Sequence, residues 1–316
     1  MQNELRRDYF LDRQVIIAVG RGKRPTDFKH ACANESDTKA GCFFCPGSES
    51  STPPEIMRVG EGGKWAIRVF PNKFPAVTVE EGGSDEQMMP AYGRHEIVVE
   101  TPDHDRTVAD LSPEEISKVI GIYSQRVQDM LRDPRVKYAL VFKNHGRIAG
   151  ASLAHSHTQI VSLPVVPKLV REEAKAAGEY SQKHGSCPIC DAMKNEMNGP
   201  RRIWDDEYAC AFAPYASRSP LEAWVMPKRH IRSLKELTDQ ECLSFAKGMK
   251  TILSRLKSLE DAPYNMYFHL SPEGGDLHLH LEVLPRLSIF AGFELGSDVI
   301  INTMTPEAAS EFYRSG

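Results

Sequence analysis

Two stretches of the chain place apolar residues at the three- and four-residue spacing of an amphipathic helix. The residues of these stretches are Ile116, Val119, Ile120 and Tyr123 in the first, and Phe245, Met249, Ile252 and Leu256 in the second. Each stretch follows a capping box, Ser112 with Glu115 and Thr238 with Glu241, whose side chains can satisfy free N–H groups of a first helical turn. The pattern therefore predicts two long helices that begin at corresponding points of two similar halves.

Each predicted helix leads into two runs of apolar, β-branched and aromatic residues that are typical of strands. These runs are residues 138–142 and 158–162 in the first half, and 264–268 and 279–283 in the second. Each half is therefore predicted to be an α+β unit, a mostly antiparallel sheet with one long helix. A charged, alanine-rich segment from about 167 to 183 predicts a connecting helix. We expect a first half over 1–166, a connection over 167–186 and a second half over 187–316.

The same order of cysteines and histidines occurs in both halves. A Cys-x-x-Cys pair is followed by one histidine after a strand-like run, and then by a His-x-His motif. The two sets are Cys42, Cys45, His104 and His155-Ser156-His157, and Cys187, Cys190, His230 and His278-Leu279-His280. The order of two cysteines, one histidine and one His-x-His motif rarely repeats by chance. Its repetition therefore indicates an internal duplication.

Both sets contain the thiolate and imidazole ligands that tetrahedral zinc prefers. The predicted ligands are Cys42, Cys45, His104 and His155 for a first zinc ion, and Cys187, Cys190, His230 and His278 for a second. With four protein ligands neither ion has an open position, so both are expected to be structural rather than hydrolytic. The simpler alternative is that each Cys-x-x-Cys pair is only two cysteines in a turn.

Composition narrows the class of protein. The 316 residues suffice for two units of ordinary size, and the net charge of −4 favours neither nucleic acid nor an anionic membrane as a general partner. The chain has no apolar run of the roughly eighteen residues that a membrane helix needs, and its first residues lack an apolar signal core. We therefore expect a cytoplasmic protein without a membrane span. Seven cysteines in such a chain favour metal ligation over a disulfide framework.

The second histidine of the first His-x-His motif is a candidate nucleophile. Alternate residues of a strand share one face, so His157 would stand beside the zinc ligand His155 without binding the metal. Gln159 follows on the same face, where its amide can donate to an oxygen of a phosphate attacked by His157. The preceding stretch 144–152 is rich in glycine and small residues and suits a phosphate cradle. The alternative is a core histidine whose hydrogen bonds are satisfied.

Motifs along nearly the whole chain resemble those of the galactose-1-phosphate uridylyltransferase family, in the histidine-triad superfamily. They are Arg21-Gly22-Lys23-Arg24-Pro25, Cys42-Phe43-Phe44-Cys45-Pro46-Gly47, the segment 68–76, Pro102-Asp103-His104, Asn144, Gly150-Ala151-Ser152, the His155 motif, and Gly292-Phe293-Glu294 before Thr305-Pro306-Glu307. The resemblance implies a ping-pong reaction. His157 would attack the α-phosphorus of a nucleoside-diphosphate sugar, and a sugar 1-phosphate would then take the nucleotide from the histidine. It also implies a homodimer.

By the same resemblance, several side chains are expected to contact the substrate. They are Arg21 and Arg24 at the phosphates; Asn144, Gly150, Ser152 and Gln159 at the transferred phosphoryl group; Asn72, Lys73 and Phe74 at the nucleoside; and Phe293 and Glu294 at the sugar. A guanidinium group suits phosphate oxyanions, although the two arginines could also belong to a solvated basic loop. Phe74 could instead be an ordinary core residue.

The second half departs from the uridylyltransferase pattern. Family members that bind iron there use a glutamate and three histidines. The residues near those positions here are Glu173, His269, His278 and His280. The pair Cys187 and Cys190 instead resembles relatives with two zinc ions, including plant-type ADP-glucose phosphorylases, so we favour zinc and expect polar roles for Glu173 and His269. Glu282 would repel a phosphate near His280, so no second active site is expected.

Three functions are compatible with these patterns. The first is UDP-glucose:hexose-1-phosphate uridylyltransferase, although Ser288 and Ile301 stand where a lysine and a glutamine are common, which leaves the sugar open. The second shares the nucleophile but transfers an adenylyl group to phosphate, as an ADP-sugar or dinucleoside-polyphosphate phosphorylase does. The third is a zinc-stabilised nucleotide-binding protein without turnover, against which the pair His157 and Gln159 argues.

Overall fold

A computed structural model describes residues 2–23, 39, 41–80, 82–85 and 87–315. The α-helices in this part of the chain are α1 (Pro113–Leu131), α2 (Lys168–His184), α3 (Pro188–Met197), α4 (Asp239–Lys257), α5 (Gly292–Ser297) and α6 (Pro306–Arg314). The strands are β1 (Glu4–Arg7), β2 (Gln14–Ile17), β3 (Met57–Glu61), β4 (Lys64–Pro71), β5 (His95–Val99), β6 (Tyr138–His145), β7 (His157–Leu163), β8 (Arg202–Asp205), β9 (Ala209–Phe212), β10 (Ala223–Pro227), β11 (Tyr264–His269), β12 (His280–Pro285) and β13 (Ile300–Asn302).

Ten of these strands form one antiparallel sheet in the order β3-β4-β5-β7-β6-β11-β12-β10-β9-β8. Each half of the chain contributes five neighbouring strands, and the second half repeats the order of the first in the opposite direction, as a two-fold relation requires. The halves meet where β6 pairs with β11. The predicted α+β class is confirmed, and the two copies share a continuous sheet, which the repeat alone did not predict.

The two long predicted helices, α1 and α4, pack against each other and against one face of this sheet. Their apolar stripes are buried together with the inward-facing side chains of the strands. Both predicted capping boxes form: the Glu115 N–H donates to Ser112 Oγ at 3.2 Å, and the Glu241 N–H donates to Thr238 Oγ1 at 3.3 Å. The main core therefore lies between this helical layer and the sheet.

The other face of the sheet carries different coverings in the two halves. In the second half it packs against α2 and α3 through a separate apolar cluster that includes Ile189, Phe212 and Trp224. In the first half it carries a cluster around Phe44 and Phe70 together with the first cysteine pair. Helix α2 lies within the segment predicted as the connection. The boundaries proposed at 166 and 187 stay predictions.

A small second sheet joins the two ends of the described chain. Strands β1 and β2 are antiparallel, and β13 pairs with β2 in parallel. Arg6 of β1 is buried and lies 3.2 Å from Glu307 of α6. No helix in the described residues combines the length and the hydrophobicity that a membrane crossing requires.

Phe268 of β11 joins the helical layer to the centre of the sheet. Its ring is 6.0 Å from that of Tyr123 on α1 and 5.9 Å from that of Phe245 on α4, and it is 1% exposed. We expect Phe268→Ala to lower the free energy of unfolding by about 3–5 kcal/mol, because the cavity would open between both helices and the sheet. Urea denaturation measures this change. Leu295→Ala, at a position that is 78% exposed, should change it by less than about 0.5 kcal/mol; equal losses would contradict this account of the core.

Candidate functional site

The four ligands predicted for the first zinc ion converge on one point. The cysteine pair comes from a turn before β3, His104 follows β5, and His155 precedes β7. Cys45 Sγ lies 3.5 Å from His104 Nδ1 and 3.6 Å from His155 Nδ1, and Cys42 Sγ lies 3.6 Å from His155 Nδ1. Zinc–sulfur bonds of about 2.3 Å and zinc–nitrogen bonds of about 2.0–2.1 Å imply sulfur–nitrogen edges of about 3.5 Å in a tetrahedron. The four buried side chains therefore fit a zinc ion.

The orientation of His155 supports the same assignment. Its Nε2 lies 2.8 Å from the carbonyl oxygen of Thr101. An imidazole that donates its Nε2–H to a carbonyl presents Nδ1 as a ligand, which is how metal-binding histidines are usually fixed. The nitrogen that faces the cysteines is therefore the one free to bind a metal.

The second predicted set has the same geometry. Cys190 Sγ lies 3.4 Å from His230 Nδ1 and 3.3 Å from His278 Nδ1. The opposite ring nitrogens are again engaged, His278 Nε2 with the carbonyl oxygen of Pro227 at 3.0 Å and His230 Nε2 with Asp276 Oδ1 at 3.1 Å. Of the four ligands only His278 is fully buried, so this set lies nearer the surface than the first.

A third group of ligand-type side chains converges inside the second half. It consists of Glu173 on α2, His269 on β11, and His280 and Glu282 on β12, whose facing atoms lie within 4.8 Å of one another. In the described chain these facing atoms are buried without a hydrogen bond of acceptable geometry, although Glu173 Oε2 is only 2.7 Å from His269 Nδ1. Two carboxylates and two imidazoles suit a divalent transition metal.

This third group adds to the assignments made from sequence. His278 lies with the cysteines, as predicted from the sequence, whereas Glu173, His269 and His280 meet Glu282. From the sequence, Glu282 has no role beyond repelling a phosphate near His280. The alternation of His280 and Glu282 along β12 is the signal that could identify it as a member of the cluster.

His157 begins β7 on the face of the sheet opposite the two long helices. Its Nδ1 lies 2.8 Å from the carbonyl oxygen of His155, so Nδ1 carries the proton and Nε2 keeps a lone pair. The ring of Phe44 packs edge-on at 5.3 Å. Burial, together with the charge of Lys143, lowers the pKa of His157 to about 4. The imidazole is therefore neutral at pH 7, which is the form that a nucleophile requires.

Gln159, two residues along the same face, is held by a histidine that sequence reasoning missed. The Ala76 N–H donates to His95 Nδ1 at 3.2 Å, so His95 Nε2 carries the proton and donates to Gln159 Oε1 at 2.8 Å. With its oxygen engaged, the amide of Gln159 directs its NH₂ group elsewhere, in the orientation assigned by this network. Asn72 Nδ2 also lies 3.1 Å from His95 Nε2, but in this tautomer both atoms are donors, so the contact is not a hydrogen bond. His95 thus holds Gln159 by a hydrogen bond and lies beside Asn72.

The predicted phosphate cradle is a tight loop that rests on the second half. Asn265 of β11 donates through Nδ2 to Asn144 Oδ1 and to the carbonyl oxygen of Ala149, both at 2.8 Å. Gly150 has a φ of +89°, a conformation that favours glycine, and Ser152 is exposed just beyond it. Asn265 was not predicted, because nothing in its local sequence indicates a contact across the halves.

The remaining predicted residues lie on the surface or beyond the described chain. Phe74 is 83% exposed, which excludes the core alternative, and Lys73 and Arg21 are exposed as well. Arg24 lies outside the described residues. Phe293 is 50% exposed, and Glu294 accepts from the Ala291 N–H at 2.9 Å at the start of α5. In the described chain neither is joined to His157 by a hydrogen bond or a ring contact.

Known proteins are similar to this chain in sequence. Residues 1–167 match the model of the galactose-1-phosphate uridyl transferase N-terminal domain, and residues 91–312 match a family described as a domain of unknown function. The chain is 33% identical to an ADP-glucose phosphorylase of Arabidopsis thaliana, over 98% of this chain and 92% of that protein. It is 29% identical to a galactose-1-phosphate uridylyltransferase of Thermotoga maritima, over 98% of each.

Solved structures give the same result. The structure of an ADP-glucose phosphorylase from Arabidopsis thaliana with bound ADP-glucose matches with a TM-score of 0.87 and 31% identity, over 100% of this chain and 99% of that one. A uridylyltransferase structure matches with a TM-score of 0.78 and 30% identity, over 99% and 98%. The fold and these relatives define a nucleotidyltransferase of the histidine-triad type. The chain belongs to the galactose-1-phosphate uridylyltransferase family.

Removing a metal ligand tests the two cysteine-histidine sets. We expect Cys42→Ser and Cys187→Ser each to lose one equivalent of zinc and to lower the melting temperature, because binding of a structural zinc ion contributes to folding free energy. Elemental analysis and thermal denaturation on the same samples measure both effects. Cys242→Ala, outside all three ligand sets, is the control and should keep its metal. A Cys42→Ser protein with full zinc and unchanged melting would remove Cys42 from the ligand set.

Proposed function

We propose that the protein transfers a nucleotidyl group from a nucleoside-diphosphate sugar through a covalent intermediate on His157. The observation that carries this proposal is the geometry of His157, whose Nδ1 is held by the His155 carbonyl at 2.8 Å while its Nε2 has no hydrogen-bond partner among the described residues. Such a group can take the nucleotide in one displacement and give it up in a second, which divides a difficult transfer into two easier steps.

In the first step His157 Nε2 attacks the α-phosphorus of the donor. A nitrogen–phosphorus bond forms while the bond from phosphorus to the bridging oxygen breaks, and the sugar 1-phosphate leaves with that electron pair. Nδ1 keeps its proton, and the charge on the nucleotidylated ring lies against the His155 carbonyl. In the second step an oxygen of the acceptor phosphate attacks the same phosphorus, and the electron pair returns to Nε2.

The surrounding residues bind and orient the donor in this proposal. Gln159, fixed by His95, donates its NH₂ group to an oxygen of the transferred phosphoryl group. The other proposed contacts are Asn144, Gly150 and Ser152 at that group, Arg21 and Arg24 at the phosphates, Asn72, Lys73 and Phe74 at the nucleoside, and Phe293 and Glu294 at the sugar. The exposed ring of Phe74 has a free face on which a base can stack.

For the donor we propose UDP-glucose, with a hexose 1-phosphate as acceptor, which the uridylyltransferase relatives support. A second candidate is transfer of an adenylyl group from an ADP-sugar to inorganic phosphate. The higher similarity to an ADP-glucose phosphorylase and the cysteine-containing second metal set favour it. The neutral, hydrogen-bonded His157 argues against a protein that binds nucleotides without turnover. Two zinc ions per chain, a homodimer and a cytoplasmic location stay predictions.

Intact-mass spectrometry after mixing the protein with equimolar UDP-glucose and ADP-glucose, without acceptor, tests the nucleophile and the donor together. We expect a uridylyl adduct on the wild-type protein and none on His157→Asn, whose zinc content and circular dichroism should be unchanged. His184→Asn, on α2, is the matched control and should form the adduct. An adenylyl adduct would move the assignment to the phosphorylase activity. No adduct on zinc-replete protein would reject covalent transfer.

The acceptor is tested on the isolated adduct. Added hexose 1-phosphate should discharge the uridylyl group within the mixing time and yield a UDP-sugar, because the second step reverses the chemistry of the first. Inorganic phosphate should leave the adduct intact. Chromatography of the nucleotide products measures both reactions. Rapid discharge by inorganic phosphate alone would contradict the transferase assignment in favour of a phosphorylase.

A further inference from the structure

A buried lysine and a buried glutamate lie behind His157, on the side of the sheet that faces α1. Lys143 of β6 and Glu100, which follows β5, form an ion pair of 2.8 Å and are 1% and 3% exposed. Lys143 Nζ also donates to Ser156 Oγ at 3.0 Å and to the backbone carbonyl of His157 at 2.8 Å. All three donors of the ammonium group are therefore used, and one of them holds the backbone of the nucleophile itself.

The carboxylate of Glu100 holds the two residues on either side of the nucleophile. Its Oε2 accepts from Ser156 Oγ at 2.5 Å, and its Oε1 accepts from the hydroxyl of Thr158 and from Tyr123 OH at 2.9 Å. Because alternate residues of a strand point to opposite faces, Ser156 and Thr158 meet this carboxylate while the imidazole of His157 points to the substrate side.

The contacts of both side chains fit a charged pair, because acceptors surround the amino group of Lys143 and donors surround the carboxyl group of Glu100. Burial works to raise the pKa of the Glu100 carboxyl, but the ammonium group and the neighbouring hydroxyls hold it below the ordinary value. Burial lowers the pKa of Lys143, which Glu100 opposes. A buried ion pair often stabilises a fold no more than apolar residues of similar volume would, so its presence here calls for a reason other than stability.

The second half shows the same scaffold without such a pair. Leu279 and Leu281 flank His280 as Ser156 and Thr158 flank His157, and both leucines are fully buried. They belong to the main apolar core together with Val225 and Phe268. The sheet can therefore accommodate apolar side chains on either side of the second histidine. The buried ion pair occurs in the half that contains the candidate nucleophile.

We propose that Lys143 and Glu100 are positioning residues that fix the direction of the His157 imidazole during nucleotidyl transfer. They do not touch the substrate; they fix the backbone of His157 and both of its neighbours. The ring of His157 is held at Nδ1 by the carbonyl oxygen of His155, two residues earlier in the chain. A shift of the backbone over 155–158 therefore also changes the orientation of the ring. This inference rests on the proposed nucleophilic role of His157. A misplacement of about 1 Å can lower a reaction rate on the order of 100-fold.

The test removes both charges at once, so that neither is left buried and unpaired. In the double variant Glu100→Gln/Lys143→Met, we expect the single-turnover rate of adduct formation to fall about 10- to 100-fold. The donor concentration for half-maximal rate should stay within about two-fold, because the binding residues are untouched. Zinc content and melting temperature should remain near those of the wild type. Quenched-flow mixing with mass detection of the adduct measures the rate.

A second buried ion pair in the same half is the matched control. Arg126 and Glu96 lie 2.7 Å apart and are 5% and 2% exposed, and neither hydrogen-bonds to His157, Ser156 or Thr158 in the described chain. Glu96→Gln/Arg126→Met should form the adduct at the wild-type rate. An equal loss of rate in this control would mean that any buried pair of the half matters, and would overturn the positioning role.

The remaining outcomes separate the inference from the proposed function. A wild-type rate in Glu100→Gln/Lys143→Met would overturn the inference and leave the nucleophile unaffected, whereas absence of an adduct on the wild-type protein would defeat the proposed function itself. If the double variant lacks a cooperative unfolding transition, Ser156→Ala/Thr158→Val decides the question, since it removes both hydroxyl anchors and keeps the charges. We expect a fall on the order of 10-fold there; an unchanged rate with full zinc overturns the inference.

Discussion

The pairing of β6 with β11 is the constraint on which the rest of the molecule depends. Its backbone hydrogen bonds turn two five-stranded copies into one sheet and set Asn144 opposite Asn265. The side chain of Asn265 then holds the loop that precedes the His-x-His motif of the first half. The second half therefore supplies part of the support for the candidate active site, and neither half presents this site alone. The shared helical layer of α1 and α4 buries the apolar side chains that such a joint would otherwise expose.

The two halves have the same order of strands, but the second histidine of each His-x-His motif has different neighbours in the two halves. His157 Nε2 has no hydrogen-bond partner in the part of the chain that the structure describes, and the ring rests against Phe44 with Gln159 two residues away along the strand. His280 has the same Nδ1 contact with a backbone carbonyl, yet it is fully buried, stacked on Trp224 at 4.9 Å, with Glu282 3.6 Å from its Nε2. A nearby carboxylate repels a phosphate, and a covered ring cannot reach one. The same local geometry thus holds the proposed nucleophile in one half and a member of a ligand-type cluster in the other.

The polar residues behind the strands differ in the same way. The first half buries a lysine, a glutamate and three hydroxyl groups in a fully bonded network, whereas the second half fills the corresponding region with leucine, valine and phenylalanine. Apolar packing tolerates small shifts of a strand, but a network of charged hydrogen bonds fixes distances and directions. Apolar packing is sufficient for a half with a structural role. A half whose imidazole is proposed to attack a phosphorus atom benefits from the network, because the network fixes the direction of the ring.

The sequence by itself determined the local features: the two long helices α1 and α4 with their capping boxes, strands β6, β7, β11 and β12, the repeated order of the two halves, and the two cysteine-histidine sets. Spacing along the chain fixes which side chains share a turn or a face. It also indicated His157 and Gln159 through strand alternation. Only the tertiary structure decided the contacts between residues distant in the chain. These include the joint of the halves, His95 against Gln159, Asn265 beneath the phosphate loop, and the meeting of Glu173 with Glu282. Such contacts depend on which strands pair in the sheet, and local sequence patterns do not predict this pairing.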